Sequence, residues 1–299
     1  MRVLCCNEKG TFTVLVVSDP QCEEFFQWEE AGNELAQLVE KAAPDFVLIN
    51  GDMESNCRIT KEGWEIFIQP LLLHNIPWST TNGNHDPFIP EIAQLYHSFP
   101  GCYNQLIEET DEYFEAERPQ NYCLPVYAKD SDRVRFAVYG MDTGVMTEDG
   151  WDGLSEKQIA WYRRESDRLK EANDGKCVPA LFCCHIPFAE VTKMEVMDGV
   201  INEAIGHTSI ANDHGAFAAM KAQGDVKIAV FGHSHLINQV GMYEGIILGF
   251  AGKLSTGSYH DELSRGGRVV RFSQEQPEKV CTYWLGTLPT SKDQKEVRV

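Results

Sequence analysis

At 299 residues, 43% of them apolar, the chain is long enough for one large domain with a sizeable core or for two small ones. No Pro/Gly/Ser-rich linker, low-complexity run or internal repeat divides it, which favours a single domain over 1–299. A net charge of −19 argues against nucleic acid and anionic membrane as partners, since like charges repel at long range.

The amino terminus, MRVLCCNEKG, lacks the apolar stretch of a signal peptide. No run approaches the roughly 18 apolar residues that would span a bilayer. The expectation is therefore a soluble, cytoplasmic protein. Ten cysteines include the adjacent pairs Cys5-Cys6 and Cys183-Cys184 but no CxxC spacing, so reduced thiols are expected, several of them packed in the core.

Along the chain, short apolar runs alternate with amphipathic segments, the pattern of βα units whose strands are buried on both faces. TFTVLVVS (11–18) reads as a strand that stops on Asp19, and 29–43 as a helix halted by Pro44. DFVLIN (45–50) runs into NGDMES, and a helix over 61–74 leads to IPWSTTN (76–82), which runs into NGNHD. The aromatic-rich and partly acidic insert 87–127 is expected to cap the mouth of a site. RFAVYGMD (135–142) is a strand without ligand-type residues beyond it. Helix 155–172 precedes VPALFCCH (178–185) and then HIPF; helix 213–223, stopped by Gly224, precedes VKIAVFGH (226–233), which continues into the second histidine of GHSH. Beyond 233, INQVGMYEGIILGFAG and GGRVVRFSQEQPEKVCTYWL read as antiparallel strands over 236–285 with glycine-containing turns. An α/β fold with a second, more antiparallel sheet is predicted.

Five strands thus end in polar residues able to hold a metal. In open α/β sheets ligands bind beyond the carboxyl ends of the strands. Singly, each has a structural explanation: Asp52 as a turn residue, Asn84 as an acceptor of left-handed backbone, His185 as a satisfied core histidine. Jointly, Asp19, Asp52, Asn84, His185, His233 and His235 each follow an apolar strand, mostly beside a glycine that permits close backbone approach. Oxygen and imidazole donors without thiolate suit Mn, Fe, Zn or Mg, and a shared carboxylate suits a two-metal centre.

These motifs, DPQ (19–21), GD (51–52), GNHD (83–86), HIP (185–187) and GHSH (232–235), resemble the signature of the calcineurin-like metallophosphoesterases over roughly residues 12–272. NIPWSTTNGNHD, HIPFAEV and DHGAFAAMKAQGDVKIAVFGHSH are most similar to the purple-acid-phosphatase-like branch without an N-terminal accessory domain. The resemblance implies a four-layer α/β/β/α sandwich of two mixed sheets flanked by helices. It also implies two metal ions, with Asp52 bridging both, Asp19 and His235 on the first, and Asn84, His185 and His233 on the second. His85, beside an orienting Asp86, would serve the leaving-group oxygen.

Two positions depart from that signature. Ser55 stands where the coloured purple enzymes carry a tyrosinate that binds ferric iron, so no charge-transfer colour is expected. Gln21 stands where most members have histidine. Its amide oxygen could ligate the first ion or hold a water on it; alternatively the first site is degenerate and the protein is a binding module.

The implied activity is phosphoester hydrolysis by a metal-bridging hydroxide attacking phosphorus in line. A phosphomonoesterase is expected, with a phosphodiesterase of small nucleotide- or lipid-derived diesters, or a non-catalytic metal- and phosphate-binding protein, as the alternatives. Substrate would be a small phosphoester or a phosphoprotein. Asn84 and His85 would contact it, and Tyr259, His260 and Arg265 in the loop 255–269 could as well; a solvated hairpin loop is the equal alternative for these three. Arg58 and Lys61 read as ordinary surface charges.

Overall fold

The computed structural model describes residues 3–55, 59–86, 90–104, 121–143, 146–205 and 209–298. The first strand, β1 (Thr11–Val17), pairs parallel with β2 (Phe46–Asn50), and β2 with β3 (Trp78–Thr81). Helices α1 (Phe25–Ala42) and α2 (Lys61–Leu73) supply the crossovers. α1 opens on a capping box, in which Glu24 and Gln27 satisfy each other's backbone N–H, and ends at Ala43 in the left-handed region just before Pro44. α3 (Pro90–His97) follows β3.

Strands β4 (Asn121–Tyr127) and β5 (Val134–Met141) form an antiparallel pair. A small hairpin, β6 (Met146–Thr147) and β7 (Gly150–Trp151), leads into α4 (Glu156–Ala172), which is capped by Ser155 and Gln158. The chain continues through β8 (Ala180–Cys183), β9 (Glu195–Asp198), α5 (Ala216–Gln223), β10 (Val226–Phe231), β11 (Val240–Tyr243) and β12 (Ile246–Phe250). It closes with β13 (Gly266–Ser273), β14 (Val280–Gly286) and β15 (Val297–Arg298).

Two mixed sheets result, one ordered β15-β14-β13-β1-β2-β3 and the other β4-β5-β8-β10-β12-β11-β9. Side chains alternate faces along a strand. Leu15 and Val17 of β1 therefore pack outward with Leu35 and Leu38 of α1 and Phe67 of α2. Val14 and Val16 face inward with Leu48, Val138, Leu181, Val230 and Val270, filling the space between the sheets. On the far side Tyr139, Phe182 and Leu248 pack with Tyr162 of α4 and Phe217 of α5. Three apolar layers separate four layers of secondary structure, which is the expected α/β/β/α sandwich and explains why β1 and β2 are apolar throughout.

Two expectations change. Of the insert 87–127, residues 90–104 and 121–127 are not a cap: Ile92 and Tyr96 of α3 pack in the core beside Trp64 and Trp78, and β4 is an edge strand of the second sheet. Residues 87–89 and the acidic stretch within 105–120 lie outside the described residues, as does Arg58. The C-terminal strands do not form one antiparallel sheet. β12 pairs parallel with β10 and antiparallel with β11, whereas β13 and β14 complete the first sheet beside β1. The reason is burial: Ile246 and Leu248 face one apolar layer and Ile247 the other, so β12 takes an interior position.

Among the described residues every cysteine is free, and most are buried. None of the helices described is long and apolar enough to cross a membrane.

Candidate metal centre

The parallel strands β1, β2, β3, β8 and β10 deliver their carboxyl-end turns to one place. At the ends of β1 and β2 the turns are laced together: Asp19 N donates to Gly51 O, Gln21 N to Asp52 O and Cys22 N to Met53 O, each at 3.0 Å. Asp19, Gln21, Asp52 and His233 all hold left-handed backbone, with φ of 54°, 42°, 53° and 65°. Such conformations cost non-glycine residues about 1–3 kcal/mol each and collect at functional sites. Two glycines make room for close packing. A Cβ at Gly83 would lie 2.1 Å from Asp52 Oδ1, and one at Gly232 2.0 Å from Ser18 Oγ.

Donor atoms converge in two groups that share a carboxylate. Asp52, His185 and His233 each offer one atom within 4.8 Å of the others, and Asp19, Asp52 and His235 do the same. All are buried. Backbone carbonyls fix the imidazoles: His185 Nδ1 faces Asn50 O at 2.7 Å and His235 Nδ1 faces Tyr259 O at 2.8 Å. Their Nε2 atoms are thereby aimed at carboxylates, His185 3.2 Å from Asp52 Oδ2 and His235 3.3 Å from Asp19 Oδ1. Apart from these ionic contacts, Asp19 Oδ1, Gln21 Oε1, Asn84 Oδ1 and His185 Nε2 are buried without a hydrogen-bond partner. Buried polar atoms are ordinarily satisfied, so four together at one point fit a pair of cations.

The electrostatics agree. Burial alone would raise the Asp52 carboxyl, but His185, and then His85 and His233, hold it well below the usual carboxylate range. Burial would lower His185, yet Asp52 and Asp19 push it up to about 10. His233 is pulled down to about 4 by burial and by the neighbouring His185. The carboxylate pair thus demands positive charge between its oxygens, the demand that divalent ions meet.

Gln21 lines the site: its Nε2 donates to Asp52 Oδ2 at 2.8 Å while Oε1 is buried without a hydrogen-bond partner. Asn84 and His85 stand at the opening, with His85 N donating to Asp52 Oδ1 at 2.8 Å and its Nδ1 2.9 Å from Ser55 O. Asp86 does not orient His85. Its carboxylate accepts instead from the backbone N–H groups of Asp52, Met53 and Gly83 at 2.7, 2.9 and 2.8 Å, since a carboxylate inside a tight turn meets exposed N–H groups before any side chain. Burial and the Asp52 charge push its carboxyl up to about 7.

Of the three loop residues proposed for substrate, only Tyr259 reaches the cleft, stacked on His235 with ring centroids 4.0 Å apart. His260 is exposed, its Nδ1 3.2 Å from Ser258 O. Arg265 is buried under α1, paired with Glu30 at 2.8 Å and with Glu34.

Several supporting residues escaped the sequence. Asn50 bridges the sheets, donating to Cys184 O at 2.9 Å and accepting from Thr81 Oγ1 at 2.6 Å. Asp142, at the end of β5, accepts from Asn82 N and Nδ2 at 2.7 and 3.0 Å and so braces the GNHD turn. Lys253 is fully buried and donates to Asp19 O at 2.7 Å. Trp151 packs edge-on against His233 at 4.7 Å. Nothing in the sequence singled out any of the four, although Asn50 ends β2 and Asp142 directly follows β5.

The site opens into a cleft of about 500 Å³ whose outer walls include Met146, Trp151 and Tyr259. A larger cavity of about 760 Å³ lies beside Pro44 and Pro77, at the amino ends of β2 and β3. Neither of the two donor groups lies there.

A four-layer sandwich that gathers oxygen and imidazole donors around a shared aspartate defines a metal-dependent hydrolase scaffold. The chain belongs to the calcineurin-like phosphoesterase family, whose model matches residues 12–236. It is similar to two Arabidopsis thaliana proteins named Probable inactive purple acid phosphatase 29 and 14. The first is 23% identical over 90% of this chain and 78% of the relative, the second 25% over 99% and 83%. It is also similar to the Probable glycerophosphodiester phosphodiesterase GpdQ of Arcobacter nitrofigilis, 24% identical over 82% of this chain and 75% of the relative. A solved dimetal phosphatase from Danio rerio shares the fold, with a TM-score of 0.60 at 11% identity over 96% of this chain and 98% of that chain.

Proposed function

We propose that this protein hydrolyses small phosphate monoesters, or a phosphorylated side chain of comparable reach, with two cations. The first would be held by Asp19, Gln21 and His235, the second by Asn84, His185 and His233, and Asp52 would be common to both. The observation that carries this reading is the cluster of buried, unpartnered donor atoms around Asp52 at the floor of an open cleft. When bound, such ions supply Lewis acidity toward water and phosphoryl oxygen.

The chain's own groups do the rest. Asn84 and His85 line the cleft and would hold a phosphoryl oxygen. With Nδ1 of His85 turned to Ser55 O, proton exchange with the leaving oxygen falls to Nε2. Trp151 and Tyr259 offer flat apolar walls to the ester group. The similarity to a glycerophosphodiester phosphodiesterase favours one second reading, hydrolysis of a small diester at the same centre.

A paired assay on aryl monophosphate and bis-aryl phosphate with Mn²⁺, Fe²⁺, Zn²⁺ and Mg²⁺ tests both. Turnover of the monoester that falls to background in Asp52→Asn and after chelation supports the proposal. Preference for the bis-aryl ester transfers it to the diester reading, and no turnover of either by metal-loaded protein would overturn both.

A further inference from the structure

We infer that Arg265, acting through Glu30 and Glu34 of α1, is the positioning residue for the first cation's donors, so that the two cation sites depend on it unequally. The inference deepens the metal-dependent reading above and rests on it.

Glu30 and Glu34 are one turn apart and share a face of α1. Arg265, 3% exposed, donates through Nη2 to Glu30 Oε1 at 2.8 Å and to Glu34 Oε1. The guanidinium fork thereby sets the direction of both carboxylates. Their other oxygens are turned toward the loop 254–259. Glu34 Oε2 accepts from Ser255 N at 3.2 Å, and Glu30 Oε2 accepts from Thr256 N and Oγ1 at 2.8 and 2.7 Å.

That loop touches the first site at three points. Ser255 Oγ donates to Pro20 O, between Asp19 and Gln21. Gly257 lies so close to Gln21 that a Cβ there would come within 2.0 Å of the Gln21 carbonyl oxygen. Tyr259 O receives His235 Nδ1 and so directs Nε2 toward Asp19. Backbone strain runs through the same contacts, with φ of 57° at Ser255 and 42° at Gln21, and strained turns persist only where surroundings overdetermine them.

The second site is anchored mostly elsewhere, tied to the first through His233 N, which donates to Asp19 Oδ2 at 2.9 Å. His185 is held by Asn50 O, and the turn bearing Asn84 is held by Asp86 and Asp142. Without Arg265, two like-charged carboxylates would face each other under the loop and their acceptor geometry would spread. Loss should then fall chiefly on Asp19, Gln21 and His235, and reach the second site through the shared Asp52 and the His233–Asp19 bond.

The test is Mn²⁺ titration by calorimetry on full-length protein, with circular dichroism and thermal melting to verify folding. Wild type should bind two ions. Arg265→Met should weaken one site by about ten- to hundredfold, the usual effect of removing a supporting partner, and the other by clearly less. Arg265→Lys, which keeps charge without the fork, should recover part of the loss. Glu29→Gln, exposed on the same helix, should bind as wild type. Gly257→Ala keeps the ion network but presses on Gln21; it should reproduce the unequal loss even if Arg265→Met fails to fold. Equal weakening of both sites, or of neither, in folded variants would overturn the inference alone. Fewer than two ions in wild type would overturn it together with the reading beneath it.

Discussion

On the proposed reading, Gln21 would decide the character of the first cation site. An amide oxygen is a weaker donor than imidazole for Mn, Fe or Zn, and its nitrogen is already committed to Asp52 Oδ2. Gln21→His should therefore tighten Mn²⁺ binding at that site and retain or raise hydrolysis, measured by calorimetry and by turnover of aryl phosphate. Lost turnover would instead show that the bond to Asp52 is indispensable. At this scale residue type was readable but direction was not. Asp86 follows His85 in sequence, yet its carboxylate points back into three backbone N–H groups rather than toward the imidazole. Arg265 shows the same limit: a guanidinium seeks carboxylate as readily as phosphate, and Glu30 and Glu34 are more than 200 residues away in the chain.

Turns and helices carry the next level. The GNHD turn tolerates nothing larger than glycine at 83, because a methyl group would occupy the space of Asp52 Oδ1. Gly83→Ala should weaken metal uptake by about tenfold or more while the far-ultraviolet dichroism is unchanged; unaltered uptake would mean the turn is softer than its packing indicates. Helix α1 is tied to the site through Glu30. Burial alone would raise that carboxyl, but hydrogen bonds from Thr256 and Arg265 hold it below its ordinary value. Its contribution to stability is then complete above the unfolded carboxylate value of about 4.3 and is lost as pH falls through the lower folded value. Urea unfolding followed from pH 7 to pH 3.5 should show a smaller acid loss in Glu30→Gln than in wild type. The strands and helices themselves were legible because their periodicity is local. The C-terminal pairing was not, since a strand's neighbours depend on which of its faces finds a partner.

For the molecule as a whole, the charge of −19 opposes the approach of an anionic ester, whatever cations the cleft holds. Turnover at limiting substrate, kcat/KM, should therefore rise as ionic strength increases from about 0.01 M to 0.15 M, where the screening length shrinks from roughly 30 to 8 Å. A fall would mean that the local field of the centre outweighs the surface. The two-sheet architecture was legible from apolar runs that stop on polar residues, because burial on both faces leaves a strand no polar position except its end. By itself, then, the order of residues determined the fold class, the family and the donor set at the strand ends: periodicity, composition and motif are properties of short stretches. Only the tertiary structure decided which carboxylates face the other donor atoms and which face backbone, that Arg265 pairs with α1, and that the C-terminal strands divide between both sheets. Those outcomes depend on direction and distance between segments far apart in the chain, and these exist only once the layers have packed.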